Sequence, residues 1–182
     1  MNDLEQPPVN VDPDAPVQHA GAGFRVGLGP GLVAGLVMLI VLGILALARD
    51  QPFLEPADVI ASVFQGPRAL SGSAEAAALG VVVHFATSAI LGGLFAVVVG
   101  RTTRKRQLGL GLAYGVAIWL VVQFAFLPLA APWVATTFGT VWPFFLGHLA
   151  FGVMLGASVP TTKGIDAPHR AFVDPLRREV RP

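Results

Sequence analysis

Two histidines, His84 and His148, sit inside stretches of sequence without Asp, Glu, Lys or Arg. An ionisable side chain within a long apolar segment is costly and marks a site by default. A neutral imidazole offers one donor and one acceptor, and hydrocarbon satisfies neither. Each histidine must therefore bond to a neighbouring group, ligate a metal, or take part in proton movement. Their surroundings are alike. Gly80, His84, Ser88 and Gly92 repeat at helical spacing, and so do His148, Gly152 and Gly156. Small residues at this spacing let helix backbones approach closely, so both imidazoles are expected to point into a bundle rather than at lipid.

These residue types admit several chemistries. As glue, His84, His148 and Gln123, with Thr87 or Ser88, would form hydrogen bonds between helices worth about 0.6 kcal/mol each, up to about 2. As ligands, two imidazoles on facing helices suit the axial positions of a b-type haem, with the glycines leaving room for a flat macrocycle. Zinc is poorly served, because two histidines and an amide fall short of three or four good ligands. A proton-coupled transporter calls for an embedded carboxylate, and these stretches contain none. Hydrolysis has no support, since Ser88 lies one helical turn from His84 with no carboxylate to orient the ring. The chain has no cysteine, which removes disulfides and thiolate sites. The expectation is no catalytic residue, no metal and no cofactor, with haem b held by His84 and His148 as the alternative.

The elements that must position these residues are apolar helices. The chain has 182 residues, of which 54% are hydrophobic and 13% charged; soluble domains carry about 25% charged residues. Four charge-free runs, 26–48, 76–99, 108–131 and 141–159, are each long enough to cross about 30 Å of hydrocarbon. A soluble helix would show a polar face, and these do not. Residues 1–25, acidic and proline-rich, are expected to form a disordered cytoplasmic tail, and 160–182 a basic cytoplasmic tail that touches anionic lipid. Between the first two runs, Pro56 can start a short helix over 57–65, ended by Gly66-Pro67. Val59, Ile60, Val63 and Phe64 share one face of it. That face suits an interfacial helix lying on the bilayer; the functional reading is a lid over a site between the spans.

Orientation follows from charge. Arg101, Arg104, Lys105 and Arg106 crowd the loop between the second and third runs, and cationic short loops stay cytoplasmic. This placement accounts for the cluster without nucleic acid. Trp133 and Trp142 flank the last connection, as tryptophans do at a membrane–water interface. Both termini are then cytoplasmic.

The two histidine segments also align with each other. His84/His148, Ala86/Ala150, Leu91/Leu155 and Gly92/Gly156 are identical pairs, and Gly31-Leu32-x-x-Gly35 matches Gly111-Leu112-x-x-Gly115 in the preceding runs. The pattern predicts two tandem helical hairpins related by a pseudo-twofold along the membrane normal. Both histidines then lie about 11–12 Å below the outer edge, and Gln123 reaches the same depth on an opposed helix. A polar layer of His84, Gln123 and His148 is expected, with the second and fourth spans diagonal across the bundle.

The Phe-Leu-Gly-His-Leu block at 145–149, the His84 block and the Gly-Leu-x-x-Gly opening of the third run resemble the uncharacterised small four-span inner-membrane proteins of bacteria, including YagU-like proteins. The likeness covers about residues 27–159. It implies a location and a fold and supplies no reaction. The sequence thus predicts an all-α, four-transmembrane-helix up-down bundle in the bacterial inner membrane, serving as a structural or accessory subunit without enzymatic activity. Its expected partners are the lipid bilayer and other membrane proteins or copies of itself, met through Gly31/Gly35, Gly111/Gly115 and Gly152/Gly156. The alternatives are the haem protein and, behind it, a small-solute transporter.

Overall fold

The computed structural model describes residues 15–100, 102–134 and 141–161, with side chains from residue 21 onward. Those residues form helices and connections without a strand. Four helices are long and apolar enough to cross a membrane. In chain order the elements are α1 (Ala15–Leu47), α2 (Glu55–Gln65), α3 (Ala74–Val99), α4 (Arg104–Ala130) and α5 (Val141–Ser158).

Local chemistry explains most of the boundaries. Pro56 opens α2, where a missing N–H costs nothing, and Gly66 at φ 73° closes it. Ser73 caps α3, its hydroxyl accepting from the Ala76 amide at 3.1 Å, and Gly100 at φ 59° ends that helix. Near its far end α4 widens into a π turn over Val122–Phe126, where the Leu127 amide reaches back to the Val122 carbonyl. Pro128 follows directly. It has no N–H, and its ring crowds the carbonyl four residues back, at Phe124, inside the widened turn.

The start of α1 differs from the expectation. Residues 15–25 are helical rather than a flexible tail, and Pro30 lies within the helix. The packing supplies the reason: the Phe24 ring covers Gly93, and Gly27 lies against Gly92 and Ala96 of α3. Residues 1–14 and 162–182, which hold the rest of the expected tails, lie outside the described residues, as do Arg101 and 135–140.

The helices pack as two antiparallel hairpins, α1 with α3 and α4 with α5, joined through α1 and α5. The α3–α4 seam is thin. It is pinned where the Tyr114 hydroxyl donates to the Leu91 carbonyl at 3.0 Å and the Tyr114 ring meets Phe95. Spans two and four, α3 and α5, are therefore diagonal. Ala34, Met38, Leu42, Phe95, Phe151 and Leu155 form the core between the hairpins.

Both hairpins cross on glycine, in the same register. A Cβ on Gly31 would strike the Ser88 carbonyl and come within 3.0 Å of the Gly92 Cα. A Cβ on Gly111 would strike the Gly152 carbonyl and come within 3.0 Å of the Gly156 Cα. Gly35 and Gly115 sit one turn further along, against Ser88 and against His148 and Gly152 respectively. Such contacts replace side chain with backbone packing, as small-residue crossings do in lipid. They also occupy the glycine faces inside the chain, so these faces are not open to a partner protein.

At the opposite end from α2 the bundle is tied by a residue pair. Arg104 starts α4, where a cation is disfavoured by that helix's own dipole. Its guanidinium instead reaches the unpaired carbonyls ending α5, at 2.9 Å from Gly156, 2.5 Å from Ala157 and 3.2 Å from Val159. Gln107, fully buried, donates to the Pro160 carbonyl at 3.0 Å.

Candidate functional site

The site grows from a mismatch in packing. Diagonal helices cannot close on each other while α3 and α4 barely touch, so space remains between the hairpins. That space is a cavity of about 260 Å³. Met38 and Leu42 of α1, Leu91 of α3, Ile118 and Val122 of α4 and Phe151 of α5 supply apolar walls. His84 and His148 both line it, one from each diagonal helix. Ile118, Val122 and Phe126 follow one another at four-residue spacing, so α4 presents a single face to the wall.

The short helix α2 closes the end opposite the Arg104–Gln107 tie. Val59, Ile60, Val63 and Phe64 all face the cavity. The face expected to lie on the bilayer thus serves as a roof, which is the lid alternative of the sequence reading. Its seat is specific. Ala57 backbone lies directly on Gly80 of α3, Val59 packs with Leu127, Ala131 and Val134, and the Trp133 indole donates to Ser62 Oγ at 3.2 Å. At its start, Glu55 pairs with Arg49 at 2.5 Å. Asp58 is buried beside it, with Oδ1 lacking a hydrogen-bond partner. Burial, and secondly the charge of Glu55, push its carboxyl above the usual carboxylate range.

The imidazoles are fixed through backbone carbonyls. His84 Nε2 donates to the Gly35 carbonyl of α1 at 2.9 Å, and His148 Nδ1 donates to the Phe144 carbonyl of its own helix at 2.7 Å. A carbonyl has no proton to give, so the bonded ring nitrogen must carry it. In the neutral rings this leaves lone pairs on His84 Nδ1 and His148 Nε2. Neither nitrogen has a partner among the described residues. Nor is either sealed away: the buried unpaired side-chain atoms there are Asp58 Oδ1 and Trp119 Nε1. Two acceptors therefore border an apolar space.

Of the residues expected in one polar layer, the structure brings together His84 and His148 and leaves Gln123 aside. Gln123 is half-buried in the π turn and does not line the cavity. Ser88 and Thr87 line it instead. The geometry is unfavourable to haem on two counts. A cavity of about 150 Å³ takes one benzene ring, so about 260 Å³ holds one substituted ring rather than a four-ring macrocycle. The free nitrogen of His84 is Nδ1, next to the ring's own Cβ, which crowds a macrocycle coordinated directly through its iron. No three His, Asp or Glu side chains gather for a metal among the described residues.

Some of these residues escaped sequence reasoning. Arg104 looked like one topological cation among four, and only the tertiary arrangement reveals its bond to α5. Gln107 preceded the third charge-free run and carried no signal. Tyr114 has none beyond being the chain's single tyrosine.

A family model described as a family of unknown function, DUF6789, matches residues 22–169. The chain belongs to the DUF6789 family. The matched region takes in both hairpins, the α2 roof, both histidines and the Arg104–Gln107 tie, so the DUF6789 unit is the whole bundle rather than one hairpin. The match bears out an uncharacterised family, and nothing in it singles out the YagU-like proteins that the motifs resemble. No curated protein and no solved structure matches this DUF6789 member.

Proposed function

We propose that this chain is a membrane-embedded binding protein that takes a small, mostly apolar molecule from the bilayer into the cavity between its hairpins. The cavity's lining carries this reading. Thr87 of α3 and Phe126 of α4 border the space and are also exposed on the outer surface of the bundle. The opening therefore lies along the α3–α4 seam, which faces hydrocarbon when the four helices span a membrane. An accessory subunit docking through its glycines would need those faces free, and they are filled within the chain.

In the same reading the membrane is the bacterial inner membrane and both termini are cytoplasmic. Supporting this, Arg104, Lys105 and Arg106 stand at one end of the bundle while Trp133 and Trp142 belong to the other. The roof α2 then lies on the periplasmic side. The matched registers of the Gly31/Gly92 and Gly111/Gly156 crossings support descent from one duplicated hairpin.

Photolabelling with a small apolar aryl diazirine in nanodiscs tests the binding reading. Phe151 is 3% exposed and lines the cavity, whereas Leu129 is 87% exposed on the outside. Labelling of Phe151 is expected, with its suppression in Thr87→Trp, which plugs the seam. Label confined to outward residues such as Leu129 would refute the reading.

A further inference from the structure

The two imidazoles say more about the ligand than the cavity's size does. We infer that the cavity is a site for a lipid-soluble aromatic diol, a single substituted ring with hydroxyl groups at opposite ends, bound between His84 Nδ1 and His148 Nε2. The inference rests on the binding reading above and specifies its ligand.

The argument begins with what the rings cannot do. Each donates its one proton to a carbonyl, His84 to Gly35 and His148 to Phe144. What each has left to offer is an acceptor. A ligand bearing only acceptors, such as an ether or a carbonyl, would set lone pair against lone pair and leave both nitrogens unsatisfied. A ligand with hydroxyl groups would donate to each. The acceptors come from α3 and α5, helices that are diagonal in the bundle, so the matching donors belong at two ends of the molecule rather than side by side. Between the ends the walls are apolar and include four phenyl rings, Phe64, Phe126, Phe144 and Phe151. Aromatic side chains favour offset or edge contacts with another ring. About 260 Å³ suits one ring with small substituents, given that about 150 Å³ takes benzene. The lateral opening at Thr87 and Phe126 admits a solute from lipid. An acyl chain could fill the same space, but it would give neither nitrogen a donor.

Trimethylhydroquinone and its dimethyl ether separate these cases, because they share the ring and differ in the donors. The purified full chain in nanodiscs, labelled with ¹⁵N-histidine, is titrated with each under reducing conditions. Variants at His84 and His148 assign the signals. The diol is expected to bind at least about tenfold tighter than the ether, since the ether leaves both ring acceptors unpaired once water is displaced. It should move the unprotonated nitrogen resonances of both His84 and His148, while the protonated ones stay near their starting positions. His84→Phe and His148→Phe should each reduce that preference and retain binding of the ether. The wild-type resonances report independently of whether either variant folds. Equal binding of diol and ether overturns the inference and leaves the apolar binding reading standing. Failure of both to bind, with Phe151 still photolabelled, also overturns the inference alone. Failure of both together with absent Phe151 labelling overturns the two readings at once.

Discussion

Alanine at the hairpin crossings gives a quantitative test of how this bundle is held. In both Gly31→Ala and Gly111→Ala the new Cβ would sit 3.0 Å from the Cα of the facing glycine, Gly92 or Gly156, and strike a backbone carbonyl. Carbon atoms pack at about 3.5–4.0 Å, so relief requires the helices to separate by about 0.5–1 Å. Backbone atoms cannot swing aside as a flexible side chain can. A gap of that size forfeits about a quarter to a half of each affected contact, and overpacking of this kind costs about 1–3 kcal/mol. The same substitution at Gly29 and Gly109 meets nothing within 4 Å, and there alanine is expected to be neutral or to stabilise by up to about 1 kcal/mol through helix propensity. Reversible unfolding by SDS in mixed micelles, followed by circular dichroism, measures all four variants. The expected order has Gly31→Ala and Gly111→Ala destabilised by similar amounts, and both well below Gly29→Ala and Gly109→Ala. If the crossing variants match the controls, the backbone-contact argument fails. If one crossing is sensitive and the other is not, the equivalence of the hairpins fails.

Asp58 makes the roof pH-sensitive. Its carboxyl is raised by burial and then by Glu55, so its contribution to stability is fully present below the ordinary carboxylate value and is lost as pH rises through the raised one. Asp58→Asn should therefore exceed the native chain in thermal stability at pH 8 and converge with it at acidic pH; a gap that widens towards acid would contradict the assignment. Orientation is open to cysteine mapping, because the chain has no cysteine of its own. A thiol introduced at Lys105 should react with an impermeant maleimide only after the inner membrane is opened, and one at Phe64, which is 64% exposed on α2, should react in intact spheroplasts. The reverse pattern would invert the topology.

The sequence by itself determined the membrane class, the number of spans and the pairing of small residues. These depend on length, hydropathy and spacing along one chain, and a helix obeys them wherever it sits. The runs at 76–99 and 141–159 lie close to α3 and α5, and the stripes through Ser88, Gly92, Gly152 and Gly156 became the crossings. Pro56 and Gly66 bounded α2 in the same local way. The sequence also singled out His84 and His148, since an ionisable side chain in hydrocarbon is conspicuous without any partner.

What those histidines face was decided only in three dimensions. The two rings have the same sequence surroundings, yet His84 bonds across to α1 through Nε2 and His148 bonds within α5 through Nδ1. That difference comes from how each ring is turned relative to the nearest open carbonyl, which helical spacing does not encode. Gln123 was expected at their depth, but the face that α4 turns to the cavity runs through Ile118, Val122 and Phe126, and Gln123 lies off it. The apolar face of α2 suits a bilayer surface and a roof equally by composition, and its seat on Gly80 and Trp133 chose the roof. Arg104 behaves likewise: its charge was legible, while its bond to the end of α5 depends on two helix termini meeting across a hairpin. Polar groups in an apolar medium take the partner that packing brings within about 3 Å, and packing is a property of the whole bundle.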